Sequence, residues 1–372
     1  MKTTRFGWII ASGTVGSLAL LGLWLIPGPK PAGAEKKAPE SSSPTTGLGD
    51  GATPQRTDTI DLVRQAELVI GQAVQDKREG DTESAVKLLL TLVSEAFPPS
   101  VRADARRHLG QIAWAAGDVE GAKAHFREVL LLVEGVEVLE GVGPTSAAGS
   151  LNQLFVILLN EKNLEEALRA NTALLGLGSN ALASDILRTA NGHQALVLTQ
   201  MGRAKEAIPY ASTVVEMTRD TPEQEHYLHA LHQLATAEEA IGEHGSAASS
   251  LSRAWDVVVA RPDLAISGTA LRLHSAMQAS GDGAAASVFA KTAFDTLSSQ
   301  GAQRRALDPG ISSAEMSLLS SLCGAHAFGR PDLSMWAYDQ IEMRVQGDAN
   351  ALATIKKMRS DLIVVLEDQG RK

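Results

Sequence analysis

Apolar residues along most of this chain follow the period of amphipathic helices, and short glycine-containing breaks separate one apolar stretch from the next. From about residue 58, the first stretch carries Leu62, Val63, Leu68, Val69 and Val74, and the second carries Val86, Leu88, Leu89, Leu92 and Val93. Pro98-Pro99 follows, and proline cannot continue a helix. This pattern predicts two helices joined by a tight turn near Gly80.

The same two-helix unit recurs about every 41 residues. In six copies a glycine stands five residues before a small residue, in the pairs Gly80/Ala85, Gly117/Ala122, Gly202/Ala207, Gly242/Ala247, Gly281/Ala286 and Gly329/Ser334. A seventh copy has Lys162 in the glycine's place before Ala167. Glycine ends a helix in the left-handed conformation at little cost, and a small residue in the next helix lets the two helices approach closely. The period is typical of helical repeat arrays, so we predict about seven α-hairpins.

The second copy carries the fullest motif, with Leu109-Gly110 in its first helix, Gly117-Asp118 at the turn, and Ala122 and Phe126 in its second helix. This pattern resembles the tetratricopeptide repeat (TPR) family, whose units carry a Leu-Gly pair, then a small residue and an aromatic residue. The resemblance implies an all-α, right-handed α-solenoid of about seven TPR-like hairpins. Copies three, four and six depart from the pattern, with Asn171, Ala211 and Ala290 where the large residue belongs.

Composition agrees with an all-α fold, because aromatic residues make up only 4% of the chain and alanine and leucine dominate its apolar positions. After the seventh hairpin, an amphipathic helix is expected to cover the end of the stack, with its apolar residues at Ile355, Met358, Leu362 and Val365. The predicted segments are a short basic N-terminus at 1–5, a hydrophobic helix at 6–26, a disordered Pro/Gly/Ser-rich linker at 27–57, the solenoid at 58–350, and a capping helix and tail at 351–372.

The hydrophobic helix predicts the location of the protein. Residues 6–26 are an uncharged run of 21 residues, and about 20 apolar residues suffice to cross a bilayer. Trp8 and Trp24 near its ends favour an uncleaved anchor, whereas Ala32-Gly33-Ala34 offers a signal-peptide cleavage site at about Ala34. We therefore predict a single-pass membrane protein with its C-terminal repeats outside the cytoplasm, in the bacterial periplasm or envelope. Secretion to the periplasm after cleavage is one alternative, and a cytoplasm-facing array is another.

Charge limits the classes of partner. Residues 1–57 carry a formal net charge of +3, which leaves −12 for the rest of a chain whose total is −9. An acidic body repels polyphosphate, so we predict no nucleic-acid partner.

The sequence indicates no catalytic site. It has no Gly-x-Ser-x-Gly or His-Glu-x-x-His motif and no glycine-rich phosphate loop after a strand. Cys323 is the only cysteine, so no intrachain disulfide can form, and we expect it to be a packing thiol. We predict that the protein is not an enzyme and needs no cofactor.

Three histidines spaced three residues apart, His226, His229 and His232, form a weak candidate metal site. Imidazole binds zinc, copper or nickel, but the set lacks the further ligands that structural sites use. No metal site is therefore predicted. A histidine-stripe metal-binding protein or metalloenzyme stays open as an alternative function.

The TPR resemblance implies that the first helix of each hairpin lines a concave groove that binds a protein or peptide. Carried over copy by copy, the groove candidates are Arg107, His108, Gln111, Asn152, Gln153, His193, His229, His232, Gln233, Arg272 and Ser275. Side chains with both donors and acceptors suit an extended peptide backbone. The leading hypothesis is a membrane-tethered protein-protein interaction scaffold without catalysis. A self-assembling structural solenoid is a further alternative, and the insertions at about 134–141 and 300–311 are candidate binding loops.

Overall fold

The computed structural model describes residues 54–135, 144–178, 182–261 and 263–370. These residues belong to the unit Thr53–Lys372, whereas the unit Met1–Ala52 lies outside the described residues. The described residues form helices, turns and bends, with no strand among them. The predicted all-α fold is therefore confirmed.

The α-helices are Pro54–Glu79 (α1), Thr82–Thr91 (α2), Pro99–Ala115 (α3), Val119–Glu134 (α4), Pro144–Asn160 (α5), Leu164–Gly176 (α6), Ser184–Gln200 (α7), Ala204–Thr218 (α8), Gln224–Ala240 (α9), His244–Ala260 (α10), Ser267–Ala279 (α11), Gly283–Ser298 (α12), Ala302–Leu307 (α13), Ile311–Leu322 (α14), Pro331–Arg344 (α15) and Ala349–Gly370 (α16). A 3₁₀ helix, η1, covers Ala325–Phe328. Successive pairs from α1/α2 to α11/α12 form hairpins 1 to 6, and α14/α15 form hairpin 7. We call the first helix of each hairpin helix A and the second helix B.

The turn between helix A and helix B has the same backbone conformation in every hairpin. Gly80, Gly117, Gly202, Gly242, Gly281 and Gly329 have φ values from 74° to 92°, in the left-handed region. Lys162 has φ 60° and is the only non-glycine residue in this region among the described residues. In hairpins 1 to 5 the residue after the turn donates its backbone N–H to a carbonyl five residues earlier, as from Asp118 to Ala113 at 2.9 Å. This bond satisfies a carbonyl at the end of helix A.

The small residue of each helix B lies in the interior. Ala85, Ala122, Ala167, Ala207, Ala247, Ala286 and Ser334 are all 0% exposed. Hairpin 2 shows why the Leu-Gly pair of helix A matters. A Cβ atom built on Gly110 would lie 2.4 Å from Cε1 of Phe126, so only glycine leaves room for this ring.

The hydrophobic core passes from one hairpin to the next. One cluster joins Phe126 of hairpin 2 to Phe155 of hairpin 3 and Val197 of hairpin 4. Another joins Leu251 of hairpin 5 to Phe294 of hairpin 6 and continues into hairpin 7. In the described residues the core is therefore a series of contacts between neighbouring hairpins, as in α-solenoids.

The insertion between hairpins 6 and 7, which contains α13, is anchored by charged side chains. Asp308 accepts backbone N–H bonds from Ile266 and Ser267, both at 2.8 Å, at the start of α11. Arg305 donates to the carbonyl of Leu297 at 3.1 Å, at the end of α12. Arg304 is buried and donates to the carbonyl of Val258. These bonds satisfy the ends of neighbouring helices, so the insertion has a structural role.

The last helix, α16, covers hairpin 7 with part of its apolar stripe. Leu362 is buried, and Ile355 packs against the core that extends from hairpin 5 to hairpin 7. Met358 and Val365, which the sequence places on the same covering stripe, are 47% and 43% exposed. Only part of the predicted stripe is therefore buried against the rest of the described residues.

The predicted localisation requires correction. No helix in residues 54–135, 144–178, 182–261 and 263–370 is long and apolar enough to cross a membrane. The prediction of a single-pass protein with periplasmic repeats rested on residues 6–26, which lie outside the described residues together with the alternative cleavage site at Ala34. A spanning helix needs about 20 consecutive, predominantly apolar residues, and none of the described helices provides such a run.

Candidate partner-binding face

One face of helix A can be defined by counting back from the small residue of the same hairpin. Positions 15, 11 and 8 residues before it have the spacing i, i+4, i+7 and share a face of the helix. In hairpin 5 these residues are His232, Thr236 and Glu239, and Arg272 of the next helix A contacts all three. We call this set the helix-A face; in hairpins 2 to 6 it consists of Arg107, Gln111, Trp114, Asn152, Val156, Leu159, Gly192, Leu196, Thr199, His232, Thr236, Glu239, Leu271, Ser275 and Gln278.

The predicted groove residues divide into two rows. Arg107, Gln111, Asn152, His232 and Ser275 belong to the helix-A face. Five others stand 14 residues before the small residue, and we call them the ladder residues: His108, Gln153, His193, Gln233 and Arg272. His229 is exposed one turn before His232.

Two ladder residues bond to the preceding helix A. Gln233 of α9 donates from Nε2 to the carbonyl of Gly192 on α7, at 2.6 Å. Arg272 of α11 donates to the carbonyl of His232 on α9, at 3.4 Å, and forms an ion pair with Glu239 at 2.8 Å. These bonds join the A helices of three successive hairpins, α7, α9 and α11. Gln233 and Arg272 therefore hold neighbouring hairpins together, and a peptide would have to compete for them.

In hairpins 3 and 4 the ladder residues have unpaired atoms. The ring of His193 stacks on Phe155, with centroids 4.2 Å apart. Among the described residues, Nδ1 of His193 and Oε1 of Gln153 are buried without a hydrogen-bond partner. Burial lowers the pKa of His193 to about 4, so its ring is neutral at physiological pH. This part of the array has hydrogen-bonding capacity that its own residues do not use.

At hairpin 2 the predicted groove residue Arg107 is already paired. Arg107 donates from Nη2 to Oδ1 of Asp104 at 2.8 Å and to Nε2 of His108 at 2.8 Å. Burial and the neighbouring Arg107 lower the pKa of His108 to about 4. His108 and Gln111 line a shallow depression with Lys77 and other residues of α1.

The sequence prediction missed an apolar strip on the helix-A face. It consists of Trp114, Val156, Leu159 and Leu196 in hairpins 2, 3 and 4. Trp114 is 40% exposed, and the three aliphatic residues are half-buried. The repeat register contains the signal, because Trp114 and Leu159 both stand eight residues before a small residue, and Val156 and Leu196 both stand 11 before one. The strip was missed because only polar side chains were considered as peptide ligands.

Comparison with known proteins gives fold-level likeness alone. No family model and no curated protein matches the chain. Similar solved structures include nearly identical TPR-like repeats of a kinesin light chain from Podosopora anserina, with 22% identity over 53% of this chain and 94% of that one, at a TM-score of 0.36. MamA from Desulfovibrio magneticus has 17% identity over 54% of this chain and 97% of that one, at a TM-score of 0.39. A tetratricopeptide repeat protein from Parabacteroides merdae has 14% identity over 81% and 99%, at a TM-score of 0.38.

At these TM-scores the likenesses carry no argument of their own. The type of repeat therefore follows from the geometry of the described residues. The seven turns have positive φ, the seven small residues are buried, and Phe126 packs on Gly110 as the Leu-Gly motif requires. The chain is an array of TPR-like repeats. This confirms the resemblance found in the sequence.

The histidines of this TPR-like array do not assemble a metal centre in the described residues, where no group of three His, Cys, Asp or Glu side chains could hold a metal ion. His232 uses both ring nitrogens, because Nδ1 accepts from Arg272 at 3.0 Å and Nε2 bonds to Thr269 Oγ1 at 3.0 Å. Burial and the nearby Arg272 lower the pKa of His232 to about 4. The imidazole of His232 serves as a link between α9 and α11.

Cys323 lies next to the end of α14 and is half-buried. Burial raises the pKa of its thiol to about 11, so the thiolate is scarce at neutral pH. Because the thiolate is the reactive form, this environment suits packing rather than nucleophilic chemistry.

Proposed function

We propose that the TPR-like array is a protein-interaction scaffold that binds a partner segment on the helix-A face of hairpins 2 to 4 and acts by binding rather than catalysis. The observation that carries the proposal is the apolar strip of Trp114, Val156, Leu159 and Leu196. A partly exposed tryptophan in an apolar surface patch is typical of residues that dominate binding energy. The strip crosses three successive hairpins, so one segment can contact all of them.

Contacts at the hairpin-4 end of the strip support the proposal. The ring of His193 stacks on Phe155 and so packs α7 against α5, and Gln233 joins α7 to α9. A surface whose helices are already held in place loses less conformational entropy on binding. Gln233 would thus act as a support, while the strip makes the apolar contacts.

Co-purification tests this function. The full chain is used as bait in an extract of its own cells, beside the variants Trp114→Ala and Leu196→Asp. Leu131→Asp is the matched control, because Leu131 is a 53% exposed leucine on α4, a helix B. We expect a stoichiometric partner with the wild-type chain and the control, and at least about tenfold lower recovery with both face variants.

Equal recovery with all four proteins would remove the helix-A face from the proposal. Thermal unfolding midpoints accompany the test. A face variant counts only if its midpoint matches that of the control, and Trp114→Ala remains informative if Leu196→Asp unfolds.

Self-association is a second candidate function, supported by the exposed apolar side chains of α16. Met358, Val364 and Val365 are 47%, 58% and 43% exposed on this terminal helix. Terminal elements of repeat arrays usually present polar outer faces. Light scattering over a concentration series would detect dimers of the wild-type chain that Val364→Asp abolishes; a monomer at every concentration would exclude this candidate.

A further inference from the structure

We infer that the segment bound by the helix-A face of hairpins 2 to 4 is extended, carries aliphatic side chains and is uncharged where it crosses α5 and α7. This inference rests on the proposed function and adds the chemistry of the partner. Three features carry it: the uncharged centre of the face, the apolar strip, and the unpaired atoms of Gln153 and His193.

The centre of the face is uncharged although the chain is acidic overall, with a net charge of −9. Helix α5 contains no Asp, Glu, Lys or Arg, and α7 contains one of each sign, Asp185 and Arg188, near its start. A charged partner group placed against Val156 or Leu196 would lose hydration without meeting an opposite charge. Such burial is costly, so charged segments are disfavoured at this position.

Charges away from the centre of the face are only partly neutralised. Arg107 pairs with Asp104 at 2.8 Å, and Arg272 pairs with Glu239 at 2.8 Å. Lys77 and Arg78 of α1 line the depression beside His108, so the hairpin-2 end carries positive charge. The absence of charge that disfavours a charged partner group is therefore a property of α5 and α7, at the centre of the face.

The unpaired atoms indicate an extended segment. Oε1 of Gln153 is an acceptor and Nδ1 of His193 is a ring nitrogen, and both are buried without a partner among the described residues. An extended chain offers free backbone N–H and C=O groups along its length, whereas a helix offers them only at its ends. Outward rotation of either side chain onto such a backbone would give its buried atom a partner, and this favours binding.

Three peptide pools test the partner chemistry against the full chain. Each peptide has about ten residues, which span about 30 Å when extended, or roughly three hairpins. All pools alternate Val, Ile or Leu with a second residue, which is Ser, Thr or Asn in the neutral pool, Asp or Glu in the acidic pool, and Lys or Arg in the basic pool. Blocked termini remove terminal charges.

We expect the neutral pool to bind at least about tenfold more tightly than either charged pool, as fluorescence anisotropy would measure. Its dissociation constant should change less than about twofold between about 0.05 M and about 0.5 M salt, because screening acts only on charges. Trp114→Ala should abolish this binding, and Leu131→Asp should leave it unchanged.

The outcomes separate this inference from the proposed function. If a charged pool binds most tightly and Trp114→Ala removes that binding, the face is a binding site but its partner is charged, and the inference is wrong. If no pool binds, or if binding survives Trp114→Ala, the inference also fails. The co-purification result then decides the proposed function independently. Loss of peptide binding as the chain dimerises would identify the occupant as a second copy, which likewise overturns the inference.

Discussion

Lys162 occupies the turn position that glycine occupies in the other six hairpins, and it has φ 60°. Left-handed backbone costs about 1–2 kcal/mol for a residue with a Cβ atom, whereas glycine adopts it freely. Replacing Lys162 with glycine would remove this cost, but part of that gain is offset because glycine is more flexible in the unfolded chain. We expect Lys162→Gly to raise the free energy of unfolding by about 0.5–1 kcal/mol, measured by urea denaturation.

Gly202 provides the reverse experiment in the next hairpin. It has φ 75°, and a Cβ atom there would meet no other atom within 4 Å. Gly202→Ala should therefore destabilise the chain by about 1 kcal/mol through backbone strain alone. A loss of stability in Lys162→Gly would contradict the strain argument for both turns.

Gly110 tests the close packing of the Leu-Gly pair. A Cβ atom at this position would lie 2.4 Å from Phe126 Cε1, inside contact distance. We expect Gly110→Ala to lower the free energy of unfolding by about 1–3 kcal/mol, the usual cost of overpacking. Chemical denaturation followed by circular dichroism would measure the change.

Gly149 of α5 is the matched control for Gly110, because a Cβ atom there would meet no other atom within 4 Å. Gly149→Ala should stabilise the chain by about 0.5–1 kcal/mol through helix propensity. Adding Phe126→Leu to Gly110→Ala should restore part of the stability, since the smaller side chain leaves room for the new methyl group. Equal effects of Gly110→Ala and Gly149→Ala would show that helix propensity, and not packing against Phe126, determines the effect at Gly110.

At the scale of elements, Asp308 connects the insertion to α11. It accepts backbone N–H bonds from Ile266 and Ser267 at 2.8 Å and the hydroxyl of Ser267 at 2.8 Å. Burial alone would raise the pKa of Asp308. The hydrogen bonds from Ser267 and Ile266 lower it by a larger amount, so the net pKa lies below the usual value. We expect Asp308→Asn to cost about 1–3 kcal/mol at neutral pH, measured by denaturation.

The sign of the pH dependence follows from the lowered pKa. The contribution of Asp308 is fully present above the unfolded pKa of about 3.9 and is lost as the pH falls through the lower pKa of the folded state. The stability difference between the wild-type chain and Asp308→Asn should therefore shrink below about pH 4. Asp332→Asn is the control, because its carboxylate is 62% exposed, and a surface pair should contribute no more than about 1 kcal/mol. A constant difference across the acid range would refute the role given to the Asp308 carboxylate.

Hairpins were predictable from the sequence because their turns restrict residue type. A positive φ favours glycine, so six turns are marked at a regular period.

The contacts of Asn171 were not predictable. Its fully buried side chain donates to the carbonyl of Ala190 at 2.8 Å and to Gln194 at 2.7 Å, in the helix that follows. A polar residue in a core needs partners, but the sequence does not name them when they come from another helix.

The hydrogen bonds of the ladder residues were likewise not predictable from the sequence, whereas the composition of the helix-A face was. Polar character predicted that Gln233 and Arg272 lie on a surface, yet their bonds to Gly192 and His232 depend on how closely successive helices approach. Hydrogen bonds of this kind span 40 or 41 residues of sequence, so no local pattern encodes them. The apolar strip, in contrast, follows from the repeat register once the small residues are aligned.

For the whole molecule, neighbour-to-neighbour packing predicts that damage at one end stays local. Arg359 of α16 pairs with Asp339 at 2.8 Å and Glu342 at 3.5 Å on α15, and Leu362 is buried. Deletion of 349–372 should expose Ile341 of α15, so we expect amide protection to fall in α14 and α15. Helices α5 to α8 should keep theirs within about twofold, measured by hydrogen exchange.

Arg359→Ala is the milder control, because it removes the ion pairs and keeps the apolar contacts of α16. Partly exposed pairs contribute about 0–1 kcal/mol each, so this variant should reduce protection in α15 only slightly. Loss of protection in α5 to α8 after the deletion would show that the described residues unfold as one cooperative unit. Hairpins 2 to 4 would then depend on distant hairpins for their stability, and binding at the helix-A face would be sensitive to changes at the C-terminal end.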